Sequence, residues 1–131
     1  MAEIPSAPAR ATTILLVDDD ESIRDLGERI LKPAGYNVLT APCGKEALDI
    51  YRREHDRIAV VMLDLNMPRM GGDEFLEKLL KIDPAVKVII CSGLSPGEIT
   101  ESMKSVAKGF VNKPYDIRGL LQVVRDVVSK E

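Results

Sequence analysis

The run Ile58-Ala59-Val60-Val61-Met62-Leu63 ends on a single carboxylate, Asp64, and Asn66-Met67-Pro68 follows as a turn signal. Six consecutive apolar residues suit a strand covered on both faces, the situation found in a parallel sheet. Ligands of such sheets sit at the carboxyl ends of the strands, where Asp64 falls. A lone Asp at that place reads equally well as the cap of a local turn. The rest of the chain decides between the two.

A second run, Thr13-Ile14-Leu15-Leu16-Val17, also ends in acid, Asp18-Asp19-Asp20-Glu21. Ile23, Leu26, Ile30 and Leu31 then recur at helical spacing. Asp20 and Glu21 lie at the helix start, where acids favour the dipole, and Pro33-Ala34-Gly35 closes the helix. Residues 36–40 read as a short strand. Pro42-Cys43-Gly44 punctuates, and Ala47, Leu48 and Tyr51 mark a second helix that runs into the charged stretch 52–57, where the single histidine, His55, reads as a solvated surface residue. After the Asp64 strand comes a loop over 68–72. Asp73 is expected as an N-cap, and Phe75, Leu76, Leu79 and Leu80 as the stripe of a third helix closed by Asp83-Pro84.

Residues 86–91 form a fourth strand with Ser92-Gly93 at its carboxyl end. Ser95-Pro96-Gly97-Glu98 is a capping box with Pro at the first helical position, opening a helix that carries Ile99, Met103 and Val106. Residues 110–112 are a short fifth strand ending at Lys113-Pro114. Asp116 caps the last helix, whose apolar stripe runs through 117, 120, 121, 124, 127 and 128. Five strand–helix alternations imply an α/β domain, a parallel sheet with helices on both faces and right-handed crossovers. The first strand is expected at the centre, because it and the third are among the most apolar.

A chain of 131 residues holds one ordinary domain. The net charge of −3, with Lys and Arg spread along the whole length, argues against direct nucleic-acid binding, which wants a concentrated basic patch. Apolar runs stay far below the ~20 residues that span a bilayer, so no membrane partner is expected. Cys43 and Cys91 form no CxxC pair and read as reduced thiols of a cytoplasmic protein. Residues 1–11 lack an apolar targeting core and read as a flexible Pro/Ala tail; residues 12–131 are the domain.

The strand ends gather the chemistry. Strand one delivers Asp18 and Asp19, strand three Asp64, strand four Ser92 and strand five Lys113. Two carboxylates ~4 Å apart repel by about 4 kcal/mol at an effective dielectric near 20, so one is protonated or a cation neutralises the set. Oxygen ligands without His or a suitable Cys favour Mg²⁺ over zinc. A divalent ion, a lysine and a hydroxyl around a carboxylate make a phosphoryl site: Asp64 as nucleophile, Lys113 neutralising the equatorial oxygens, Ser92 donating a hydrogen bond.

The segments LLVDDDES, MLDLNMPRMGG, VIICSG and GFVNKPYD, in this order and spacing, resemble the receiver (response regulator) family of two-component phosphorelay signalling over residues ~12–131. The resemblance implies a flavodoxin-like (βα)5 fold with strand order 2-1-3-4-5. It implies Asp64 as phosphoacceptor, Asp19, Asp64 and the Asn66 backbone carbonyl as direct Mg²⁺ ligands, and Asp18 acting through water. It further implies Lys113 as the partner of the phosphoryl group, Ser92 and Phe110 as switch residues, and a sensor histidine kinase or phosphotransfer protein as donor. The output surface would be the face formed by the helix opened at Ser95, the fifth strand and the last helix, docking a downstream protein.

Two other classes compete. Asp18-Asp19-Asp20-Glu21-Ser22 is similar to the motif of aspartate-nucleophile phosphohydrolases of the haloacid dehalogenase type, but the chain lacks their downstream acidic pair and a cap segment. A flavin or nucleotide module of the same topology would want GxGxxG or GxxxxGK[ST], and neither is present. Within the receiver reading, the chain is a single-domain regulator or a receiver excised from a hybrid histidine kinase.

Overall fold

In the computed structural model the described residues are 12–64, 72–92, 105–112 and 115–129. They form strands β1 (Thr13–Val17), β2 (Asn37–Ala41), β3 (Ile58–Asp64), β4 (Val88–Ser92) and β5 (Gly109–Asn112), with helices α1 (Glu21–Leu31), α2 (Gly44–Glu54) and α3 (Gly72–Ile82), and a C-terminal helix (Ile117–Ser129). All strand pairings are parallel, in the order β2-β1-β3-β4-β5. β3 is therefore the middle strand and β1 lies one place off centre, a correction to the expectation drawn from apolarity. A strand flanked on both edges is buried whether or not it is central, and β1 has neighbours on both sides.

Alternation along the strands feeds two cores. Leu15, Val17, Val61, Leu63, Val88 and Ile90 pack against Ala47, Leu48 and Tyr51 of α2 and Phe75, Leu76 and Leu79 of α3. Ile14, Leu16, Val60, Met62, Ile89 and Cys91 pack against Ile30 and Leu31 of α1 and Leu120, Leu121, Val124 and Val127 of the C-terminal helix. The β1–β3 register slips between Thr13 and Ile14, whose partners are Ile58 and Val60. Ala59 takes up the slip, and it alone in β3 is not fully buried.

Helix ends follow their local chemistry. Asp20 caps α1 by accepting from the Ser22 backbone N–H (2.9 Å) and Ser22 Oγ (2.7 Å). After α1 a short 3-10 turn over Lys32–Ala34 ends on Gly35, whose φ of 104° lies in the left-handed region that glycine adopts without strain. Asp116 caps the C-terminal helix by accepting from the Gly119 N–H at 2.8 Å.

Some expectations shift. Asp73 lies inside the first turn of α3, which begins at Gly72, rather than at the N-cap; an acid meets the same favourable dipole at either place. β2 and β4 start later than the periodicity predicts. Ile117 is not part of the buried stripe: it is 59% exposed at the first position of its helix, while the stripe from Leu120 to Val127 is buried. His55 is exposed, as expected. The capping box at 95–98 and the tail over 1–11 lie outside the described residues; Ser105 and Val106 are helical. Among the described residues no helix is long and apolar enough to cross a membrane.

Candidate functional site

Strand alternation places the acids. Leu16 and Met62 face the side of the sheet covered by α1 and the C-terminal helix, so Asp18 and Asp64, two residues further along, face that side at the carboxyl edge. Cys91, the register partner of Asp64, does too. Asp18 and Asp64 are 1% and 3% exposed, whereas Asp19 is exposed to solvent. Asp18, Asp19 and Asp64 each bring a carboxylate oxygen within 4.8 Å of the others.

The acidic turn is tied down from several directions. The Asp18 backbone N–H donates to the Ala41 carbonyl at 3.1 Å, continuing the β1–β2 ladder past its end. The Asp20 N–H donates to Asp18 Oδ1 at 3.0 Å, and Arg24 Nη1 donates to the Asp18 carbonyl at 2.7 Å. The first turn of α1 is thereby fastened to the end of β1, with a guanidinium behind three carboxylates. At this spacing and an effective dielectric near 20, each carboxylate pair repels by about 3–4 kcal/mol. Among the described residues the cluster holds carboxylates and no His or Cys ligand. An all-oxygen donor set with one open, solvent-facing member suits a hard divalent cation that keeps part of its water.

Of the residues anticipated from sequence, Asp18, Asp19 and Asp64 are brought together. Ser92 ends β4 with its backbone paired to Asn112, at the same edge; its side chain, Asn66 and Lys113 lie outside the described residues. Phe110 is on β5 and 42% exposed. Two residues near the acids are not evident from motif reading. Arg24 is six positions from Asp18, and its reach to that carbonyl is a tertiary detail. Tyr115 packs against the core on the Asp18–Asp64 side, and burial, followed by Cys91, Asp18 and Asp64, pushes its ionisation well above the usual phenol range.

The response regulator receiver domain matches residues 14–125. The chain is 34% identical over 122 residues to the sensor kinase CckA of Brucella abortus, covering 92% of this chain but only 13% of that protein. It is 33% identical over 116 residues to the chemotaxis protein CheY of Thermotoga maritima, covering 87% of this chain and 95% of that one. Its fold superimposes on a chain of the CheX–CheY–BeF3–Mg²⁺ complex of Borrelia burgdorferi with a TM-score of 0.81 at 32% identity, covering 91% of this chain and 90% of the other. Phosphohydrolase and flavin-module readings are not favoured by these relationships. With its 2-1-3-4-5 parallel sheet and its acids at the carboxyl edge, the chain belongs to the receiver domain family of response regulators, the signalling phosphoacceptors of two-component systems.

Proposed function

We propose that Asp64 is the phosphoacceptor and that Asp18, Asp19 and Asp64, with the Asn66 backbone carbonyl, hold a Mg²⁺ ion. The observation that carries this reading is the convergence of three carboxylates from two strand ends within 4.8 Å. The likeness to a chain of the Borrelia CheX–CheY complex with BeF3 and Mg²⁺ adds support. When bound, the ion would neutralise the acids and withdraw charge from the phosphoryl oxygens.

The chain's own groups do the rest. An Asp64 carboxylate oxygen attacks phosphorus in line, the P–N bond of a kinase phosphohistidine breaks, and the leaving imidazole nitrogen keeps the electron pair and takes up a proton. Lys113 balances charge on the transferred group, and Ser92 donates a hydrogen bond to it. Ser92 drawn toward the phosphoryl group and Phe110 turned inward form the switch. Phe110 and Ile117, the two large exposed apolar side chains among the described residues, lie on the β5 and C-terminal helix surface that a downstream protein would read. Hydrolysis of the Asp64 acyl phosphate by water resets the domain, and the setting is the cytoplasm.

The test is incubation with Mg²⁺ and acetyl phosphate followed by intact-mass measurement. The wild-type chain gains one phosphoryl group and Asp64→Asn gains none while keeping its circular dichroism spectrum. Undiminished labelling of the variant refutes Asp64 as acceptor.

A further inference from the structure

Asp18 and Asp19 are neighbours in the chain but are held in different ways. The Asp18 side chain is buried, and its Oδ1 accepts the Asp20 N–H at 3.0 Å. Asp19 is exposed, and its carboxylate has no hydrogen bond or ion pair among the described residues. Its place beside the other two acids is therefore set by the backbone that carries it. The peptide that joins the two residues bears the Asp18 carbonyl, and Arg24 Nη1, one turn into α1, donates to that oxygen at 2.7 Å. The bond is short, charge-assisted and partly buried. A guanidinium keeps its proton at any working pH, so this hold on the peptide does not vary with pH.

We propose that Arg24 is a positioning residue for the metal site: through the Asp18 carbonyl it fixes the Asp18–Asp19 peptide, and with it the direction from which the Asp19 carboxylate meets the ion. The role rests on the metal-site reading above and extends it to a residue outside the ligand set. The Asp18 N–H is held by the Ala41 carbonyl at 3.1 Å, so the acidic turn is pinned by β2 on one side and by α1 on the other. A turn pinned before the ion arrives loses little freedom on binding it. Outer groups that orient metal ligands typically contribute roughly 10–100-fold to affinity. The charge of Arg24 acts in the opposite sense, because a guanidinium beside the site repels a divalent cation. Positioning and simple charge neutralisation therefore predict opposite changes when the side chain is removed.

The experiment titrates Mg²⁺ by calorimetry into wild type, Arg24→Met, Arg24→Gln and Asp19→Asn, each first shown to be folded by circular dichroism and thermal unfolding. Both Arg24 variants lose the charge; Met has no donor, and Gln carries its amide on a shorter arm. If one fails to fold, the other carries the test. A folded Arg24 variant should bind Mg²⁺ on the order of tenfold more weakly than wild type. A merely structural fastening would lower the ion-free Tm and leave Mg²⁺ affinity unchanged. A counter-charge alone would tighten binding on its removal. Either of these results, with binding lost in Asp19→Asn, overturns the positioning role and leaves the metal site standing. Absence of binding to the wild-type chain overturns both.

Discussion

Three consecutive aspartates, Asp18, Asp19 and Asp20, do three different things. Asp18 turns into the protein and is almost wholly buried, Asp19 faces solvent beside it, and Asp20 caps α1. Adjacent residues at a strand end point in opposite directions, so a run of identical side chains is divided between core face, solvent and helix cap. Removing the cap tests this division. Asp20→Ala loses acceptors for the Ser22 N–H and Oγ and should cost about 1 kcal/mol, the usual value of an N-cap, read as a lowered urea midpoint with unchanged slope. An unchanged midpoint would show that the cap is dispensable. That some acid heads this helix was legible in Asp20-Glu21; which acid caps it, and that Arg24 reaches back to Asp18, required the folded turn.

At the scale of elements, the close approach of β5 to the C-terminal helix depends on Gly109. A Cβ built there would sit 2.8 Å from Val123 Cγ1 and 3.0 Å from Val127 Cγ2. Both neighbours are β-branched and stiff at χ1, so the helix must shift rather than the side chains. Gly109→Ala should destabilise the domain by about 1–3 kcal/mol, as overpacking does, more than the ~0.5–1 kcal/mol that Ala recovers in backbone entropy. Thermal unfolding checks this, and an equal or higher Tm would mean that the strand and helix can part without loss. The strands themselves were visible as apolar runs, and the last helix as a stripe. Ile117 was not distinguishable from that stripe, because periodicity describes a face and does not say where the sheet beneath it ends.

For the molecule as a whole, the three tyrosines set a limit at high pH. Burial is the leading cause that raises the ionisation of Tyr36, Tyr51 and Tyr115; Tyr51 is further raised by its 2.7 Å hydrogen bond to Asp83, and Arg125 partly offsets the effect at Tyr36. An unfolded tyrosine loses its proton near pH 10. Above that pH the unfolded chain binds fewer protons than the folded one, so stability is complete below about pH 10 and falls as the pH rises toward the folded values. Urea midpoints should decline from about pH 9.5 upward. Tyr51→Phe should flatten the decline, which separates the phenols from lysines titrating in the same range. The chain has no tryptophan, so tyrosinate absorbance can be followed without overlap. A flat profile through that window would contradict the burial argument.

The alternation of strands and helices, the two-sided burial of β1, β3 and β4, and the placing of Asp18, Asp19 and Asp64 at strand ends were all legible in the order of residues. These follow from hydrophobic periodicity and chain direction, which are local. That the three carboxylates meet within 4.8 Å, and that Arg24 reaches the Asp18 carbonyl, became visible in the folded chain alone. Side-chain convergence depends on crossovers between segments far apart in the chain, and no local pattern encodes a distance across them.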